Sequence, residues 1–378
     1  MEPVEVTGPP EAVITQLRAL APDLVFNTAE GRRGRVREGF WPAIFEELGL
    51  PFTGSDAFTC TLTLDKRLSK QLVAAAGVPT PWAMLVERLS EIDFASVPYP
   101  VFVKPNFEGS SKGIAADSVV SSPARLEAKL ATMLARYPDG VLVERFIAGR
   151  DLTVPWLEGA GFERAPARST GGVLPVAEYS FDLEPVAGRP TIYDYNLKSV
   201  ASDAVRVHVP ARIDAGLVAE LVAHSRTVIR TLGLRDFARL DFRLDEDGRP
   251  HFLEINALPS LEPGASLWES AAIVGLREPG QVLSAVLASA AARYKLQPKA
   301  SRRRSKRTPL RVGVIHNLKR DPSDERQAEF DSVSTVEALA ESLRELGHEP
   351  VLLEANRELP NRITKAAVDL AFNIAEGF

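Results

Sequence analysis

The nine residues DLVFNTAEG, from Asp23 to Gly31, return almost unchanged at the other end of the chain as DLAFNIAEGF, from Asp369 to Phe378. The likeness extends outward, because Glu349-Pro350-Val351 lines up with Glu2-Pro3-Val4, so residues 349–377 repeat residues 2–31. A period this long is no solenoid repeat. It admits two organisations: tandem modules cut out of a longer chain, or one permuted module with a duplicated overlap. An ending inside a loop motif favours the cut.

With 378 residues the chain exceeds the size at which a single core keeps growing, which predicts two or three domains. Lys and Arg number 45 against 50 Asp and Glu, a balance that argues against nucleic acid or an anionic membrane as the main partner. Cys60 is the single cysteine, so internal disulfides and thiolate metal sites are excluded. The five histidines show no ligand spacing. The acidic start MEPVEV lacks the basic and apolar regions of a leader, and no run is long enough to cross a bilayer, so a cytoplasmic location is expected.

The opening alternates helix-period and short apolar stretches (EAVITQLRAL, DLVFN, WPAIFEELG, PFTG), the rhythm of βα units feeding a parallel sheet. A helix over TLTLDKRLSKQLVAAAG, a strand PVFVKP and a strand VLVERF follow, then a long helix GLVAELVAHSRTVIRTLG. The basic stretch QPKASRRRSKRTP reads as a solvated linker ahead of a nuclear signal or nucleic-acid patch. Beyond it come the buried-strand pattern LRVGVIHN and a helix expected to open with a Ser334-x-x-Glu337 capping box.

In FARLDFRLDEDGRPHFLEIN the pair Asp247-Gly248 predicts a two-residue hairpin turn, which fixes the register. Leu240 then faces Ile255 and Phe242 faces Leu253, while on the other side Asp241 faces Glu254 and Arg239 faces Asn256. Two carboxylates opposed with Cβ atoms about 5 Å apart repel unless a positive charge sits between them. A divalent cation is the natural filler, and two carboxylates plus the Asn256 amide oxygen are hard ligands that leave room for water and phosphates, as Mg²⁺ prefers. Taken alone, the same acids read equally well as solubilising residues on an exposed hairpin.

Lys104 stands where PVFV ends and the loop Asn106–Gly113 begins, and Gly109, Ser110, Ser111 and Gly113 let backbone N–H groups approach a polyphosphate. Lys66 is by default an exposed helix lysine, but with Lys104 it supplies the positive charge ATP needs. The run Glu144-Arg145-Phe146-Ile147 could present the backbone of an edge strand to an adenine. Asp151 could accept from ribose hydroxyls, or serve as a turn residue after Gly149.

Together these stretches resemble the ATP-grasp superfamily, and within it the D-alanine:D-alanine ligase family, over nearly the whole chain in shifted register. The matching segments are LGLPFTGSDAFTCTLTLDK, VFVKPNFEGSSKG, VLVERFIAGRDLTV, YDYNLKSVASD, ARLDFRLDEDGRPHFLEIN and VGVIHN. The resemblance implies an α/β and α+β architecture in which two ATP-grasp lobes clasp ATP, beside a Rossmann-like preATP-grasp domain split between the chain ends. The expected segments are a partial preATP-grasp domain at 1–58, a small lobe at 59–146, a large lobe with the metal site at 147–296, a linker at 297–309, and at 310–378 either a second preATP-grasp domain or a permuted completion of the first.

The likeness implies an ADP-forming carboxylate–amine ligase working through an acyl phosphate, with a catalytically silent ATP-binding module of a tandem protein as the alternative. Lys66, Lys104, Ser110, Ser111, Glu144, Arg145, Phe146, Ile147, Asp151 and Lys198 would bind ATP. Asp241, Glu254 and Asn256 would carry Mg²⁺, which Mn²⁺ can replace. Arg239, Lys198 and Ser110 would act in catalysis, and Glu329, Ser260 and Ser266 would meet the substrates. Partners are small acids and amines, with a tandem module or a homodimer compatible. The sequence departs from the family at Lys198-Ser199 (usually Lys-Tyr), at Asn256 to Ser260 (usually Asn-x-x-Pro-Gly) and at Glu30-Gly31 (usually His-Gly).

Overall fold

A computed structural model describes residues 2–160, 165–181, 192, 204–261, 264–296, 309–321, 324, 327 and 330–375. Contacts divide the chain into two units, residues 1–22 with 297–378 and residues 23–296. In chain order the elements are α1 (Pro10–Leu20), α2 (Arg37–Glu47), α3 (Ala57–Leu64), α4 (Lys66–Ala75), β1 (Ala83–Val86), β2 (Val101–Pro105), β3 (Val119–Val120), α5 (Pro123–Arg136), β4 (Val141–Arg145), β5 (Arg150–Leu157) and α6 (Ala165–Thr170). After these come β6 (Ala177–Phe181), β7 (Val205–His208), α7 (Ala215–Leu232), β8 (Phe237–Leu244), β9 (Pro250–Asn256), α8 (Ser266–Ile273) and α9 (Pro279–Arg293). The last are β10 (Arg311–His316), α10 (Val333–Glu345), β11 (Glu349–Glu354), α11 (Leu359–Ala366) and β12 (Leu370–Asn373).

Two antiparallel sheets build the larger unit. One has the order β1-β4-β2-β3, and Leu126, Leu130 and Met133, spaced along one face of α5, pack onto its valines Val101, Val103, Val141 and Val143. The other has the order β7-β6-β5-β8-β9, with Leu221, Val228 and Leu232 of α7 packed in the same core as Leu240, Phe242 and Phe252. Helix α7 begins where the Asp214 side chain accepts from Leu217 N at 2.9 Å and stops at Gly233, whose φ of +71° ends it in a left-handed cap. Truncating one of its fully buried leucines to alanine costs roughly 2–5 kcal/mol.

The helix expected over TLTLDKRLSKQLVAAAG is two helices. Asp65 adopts extended ψ of 94° and its side chain caps Leu68 N at 3.0 Å, a local bond that competes with continuing the helix. Lys66 therefore opens α4 and, instead of facing solvent, is buried.

In the smaller unit a parallel sheet has the order β11-β10-β12, with Val314 opposite Leu352 on one side and Phe372 on the other. Helix α10 starts one position before Ser334: Ser332 is the cap, accepting from Thr335 N at 3.1 Å, so the expected Ser334–Glu337 box is displaced by a second serine two residues upstream. The repeated words fold into the same local turn. Asn27 Oδ1 accepts from Ala29 N at 3.1 Å, and Asn373 Oδ1 accepts from Ala375 N at 3.3 Å. Their strand partners differ, since Val25 forms an isolated parallel bridge with Phe52 whereas β12 lies beside β10. Among the described residues no helix is long and apolar enough to cross a membrane.

Candidate active site

The β8–β9 hairpin brings Asp241 opposite Glu254 and Arg239 opposite Asn256, as the sequence predicts, although the route there differs. The turn holds three residues, with Asp245 N bonded to Arg249 O and Gly248 at φ +79°, which alone would slip the register by one. A bulge between Asp241 and Phe242 takes the slip back, leaving Leu253 as the extra residue. Phe242 consequently opposes Phe252, not Leu253, and their rings meet edge to face with centroids 5.7 Å apart.

The acidic pair does not depend on a metal for its neutralisation. Asp241 receives Arg239 Nη2 at 2.9 Å, Thr153 Oγ1 at 2.9 Å and Asn256 Nδ2 at 3.2 Å. Glu254 Oε2 faces Lys104 Nζ at 3.3 Å and Lys66 Nζ at 3.9 Å. Burial would raise the Glu254 pKa, but Lys66, Lys104 and Arg239 outweigh it and hold the carboxyl at about 2. Among the described residues no three His, Cys, Asp or Glu side chains gather as a metal cluster. The set still fits a hard divalent ion: two opposed carboxylates stand beside an amide that offers Oδ1 when turned over, and both lysines approach only Oε2 of Glu254.

Behind this pair lies a buried chain of charge that includes a residue the sequence reading passed over, Lys70. Its Nζ sits 2.9 Å from Glu144 Oε2 and donates to Phe252 O at 3.2 Å, while Lys104 Nζ lies 2.9 Å from Glu144 Oε1. Burial would pull a proton from Lys104, yet Glu144 and Glu254 keep its ammonium above the usual lysine range. Burial brings Lys70 down to about 8 against the pull of Glu144. Lys66 is likewise lowered by burial, with Glu254 opposing. The Glu144 side chain thus holds two lysines inside the lobe.

The loop after β2 carries the left-handed residues Ser110 (φ +54°) and Ser111 (φ +56°), and a pocket is lined by Lys66, Lys104, Gly109, Ser111 and Glu254. Lys66 Nζ donates to Glu108 O at 2.5 Å at the root of that loop. Arg37 donates to Phe107 O and to Glu30 Oε2, the latter at 3.1 Å, so Glu30 is tied to the loop's anchor.

Strand β4 is an inner strand between β1 and β2, not the edge expected, because β1 returns beside it. Arg145 N donates to Trp82 O at 2.8 Å and Phe146 N to Pro100 O at 3.0 Å, so these two N–H groups are engaged by neighbouring backbone. Just beyond Phe146, Arg243, also unforeseen, donates to Ile147 O at 2.6 Å and to Asp151 Oδ1 at 2.7 Å. Ser266 is buried and its Oγ meets no hydrogen-bond partner among the described residues, whereas Ser260 is exposed. Lys198, Ser199 and Glu329 lie outside the described residues.

Fold and relatives together define an ATP-grasp protein, an ATP-dependent ligase of the kind that forms carbon–nitrogen bonds. The family model described as the D-ala D-ala ligase C-terminus matches residues 72–284, and the chain belongs to that family. It is 32% identical to a D-alanine–D-alanine ligase of Gluconobacter oxydans over 73% of this chain and 84% of that protein. With an uncharacterized protein, y4sG, of Sinorhizobium fredii it shares 34% identity over 63% of this chain and 66% of that protein's length. Among solved structures it resembles the VanG D-Ala:D-Ser ligase of Enterococcus faecalis (TM-score 0.57, 27% identity, 71% of this chain and 73% of that one). A D-alanine–D-alanine ligase of Bacillus anthracis complexed with ATP shares the fold (TM-score 0.58, 20% identity, 75% and 84% covered).

Proposed function

We propose that this protein joins two amino acids or close analogues, using ATP and forming ADP, with an acyl phosphate between the two steps. The observation that carries the reading is the meeting of Lys66, Lys104, Gly109, Ser111 and Glu254 around one pocket, with Asp241 opposite Glu254 on the neighbouring strand of the hairpin.

A substrate carboxylate attacking the γ-phosphate brings two anions together, so the barrier falls mainly through screening and alignment. Lys66 and Lys104 supply fixed positive charge for the phosphates, and the Ser110–Ser111 turn directs backbone N–H groups and hydroxyls at them. Asp241, Glu254 and Asn256 would hold Mg²⁺, which when bound screens the phosphate oxygens. ADP leaves as the acyl phosphate forms. The amine of the second substrate then attacks the acyl carbon, phosphate departs, and an amide results. Arg239, which donates to Asp241 through two nitrogens, would stabilise the oxyanion of that second step. The unpartnered Ser266 hydroxyl suits a substrate carboxylate.

The relatives named as D-alanine–D-alanine ligases support D-alanine as the first compound to try. The test is ADP release from ATP and Mg²⁺ with a panel of D- and L-amino acids, and stimulated turnover with a mass-identified dipeptide is expected. Asp241→Asn should lower kcat by about 100-fold or more, because the carboxylate orients Arg239 and would hold the ion that screens the phosphate oxygens. Tight ATP binding by calorimetry without turnover for any acid would instead mark a silent nucleotide-binding module.

A further inference from the structure

We propose that Arg243 is a positioning residue that sets how the nucleotide's ribose and base are read, by fixing the crossing from β4 to β5. The inference rests on the reading that Phe146, Ile147 and Asp151 meet the adenosine.

One buried guanidinium holds four consecutive features of that crossing. Its Nε donates to Ile147 O at 2.6 Å, Nη2 to Gly149 O at 3.3 Å and Nη1 to Asp151 Oδ1 at 2.7 Å, and its Cζ lies 5.2 Å from the Phe146 ring centroid. The crossing joins the four-stranded sheet to the five-stranded one, so Ile147 and Gly149 lie outside both ladders. Gly149 has φ +141°, and a Cβ there would stand 1.9 Å from Leu244 O, so the backbone is pressed against the end of β8, next to Arg243.

Two consequences follow for a nucleotide. The bond to Asp151 occupies Oδ1 and turns Oδ2 into the remaining acceptor for a ribose hydroxyl. It also cancels a carboxylate charge that would otherwise repel the triphosphate, and an unpaired buried carboxylate is costly. The bond to Ile147 O fixes the peptide that a base edge would meet. Lysine cannot reproduce this, because one ammonium does not span two carbonyls and a carboxylate in a planar fork.

The test uses the full chain with Arg243→Met and Arg243→Lys, comparing ATP, 2′-deoxy-ATP, 3′-deoxy-ATP and GTP in steady-state ligation, with melting temperature as a folding control. In the unmodified protein, losing the ribose hydroxyl that Asp151 accepts should cost about tenfold in kcat/KM, as expected for a hydrogen bond to a charged group. In Arg243→Met the KM for ATP should rise about tenfold with kcat within about threefold, and the deoxy penalty should shrink to about twofold. Arg243→Lys, which keeps a cation for Asp151, should retain the deoxy penalty but relax the preference for ATP over GTP. If Arg243→Met does not fold, the Arg243→Lys result decides alone. An unchanged KM and unchanged discrimination in the folded variants, or equal losses in kcat and melting temperature with discrimination intact, would overturn the role of Arg243. Absence of any deoxy penalty in the unmodified protein would instead overturn the placing of ribose at Asp151, and with it the inference.

Discussion

Lys70 is a buried residue tied through one carboxylate to the candidate site. Its ammonium lies against Oε2 of Glu144, whose Oε1 holds Lys104, so a change of charge at Lys70 is felt at Lys104, which lines the pocket, through one carboxylate. Burial places its pKa at about 8, below the ordinary lysine value, so the folded protein releases this proton before the unfolded chain does. Stability from this group therefore rises with pH between about 8 and about 10.5, since the unfolded state binds more protons there. Activity should move the other way, falling above pH about 8 as Glu144 loses one of its two cations, and Lys70→Arg should carry that alkaline limb upward in a kcat/KM profile because a guanidinium stays charged. The sequence disclosed Lys104 because it ends a strand before a glycine-serine loop, whereas Lys66 read by default as an exposed helix lysine and drew notice only as a second cation for ATP and through the family resemblance. Lys70 looked like any helix lysine, and its acid lies on a strand too distant in the chain for any local pattern to pair them.

At the level of elements, the hairpin was legible in what it accomplishes and illegible in how. Alternation between apolar and polar residues paired Leu240 with Ile255 and Asp241 with Glu254 correctly but Phe242 with Leu253 wrongly, because Asp247-Gly248 announces a turn without counting its residues, and a bulge obeys packing: Phe252 is drawn inward onto Phe242. The same holds for β4, where VLVERF reads as a strand but cannot say that β1 will cover its edge. A stronger junction escaped notice entirely. Asp236, fully buried with φ +63°, accepts from Gly54 N at 2.7 Å, Ser289 Oγ at 2.7 Å and Arg293 Nη2 at 3.0 Å, tying the Phe52–Gly54 segment and α9 to the start of β8. Removing one partner of a buried ion pair leaves the other unpaired, so Asp236→Ala should cost about 3–5 kcal/mol, read as a lower urea midpoint. Asp236→Asn, which keeps the acceptor for Gly54, should cost less.

Across the whole molecule, a bound nucleotide stabilises only the folded state. Saturation at about 100 times Kd should add about 2.7 kcal/mol, visible as a rise in melting temperature with Mg²⁺ and ATP that Lys104→Met abolishes. The fold class was legible here because ordered motifs recur at the right succession along the chain, from Lys66 through Asn256. The partnership of each repeated strand was not legible, since DLVFN and DLAFN carry nearly the same side chains and pairing is decided by segments far away in sequence. Val25 bridges to Phe52 while Phe372 lies beside Val314, and still the Asn-x-Ala turn comes out alike in both. Evolution has thereby set up a matched experiment inside one polypeptide: the same exchange at Asn27 and at Asn373 alters one identical motif in two settings, and whatever differs between the outcomes measures the neighbourhood alone.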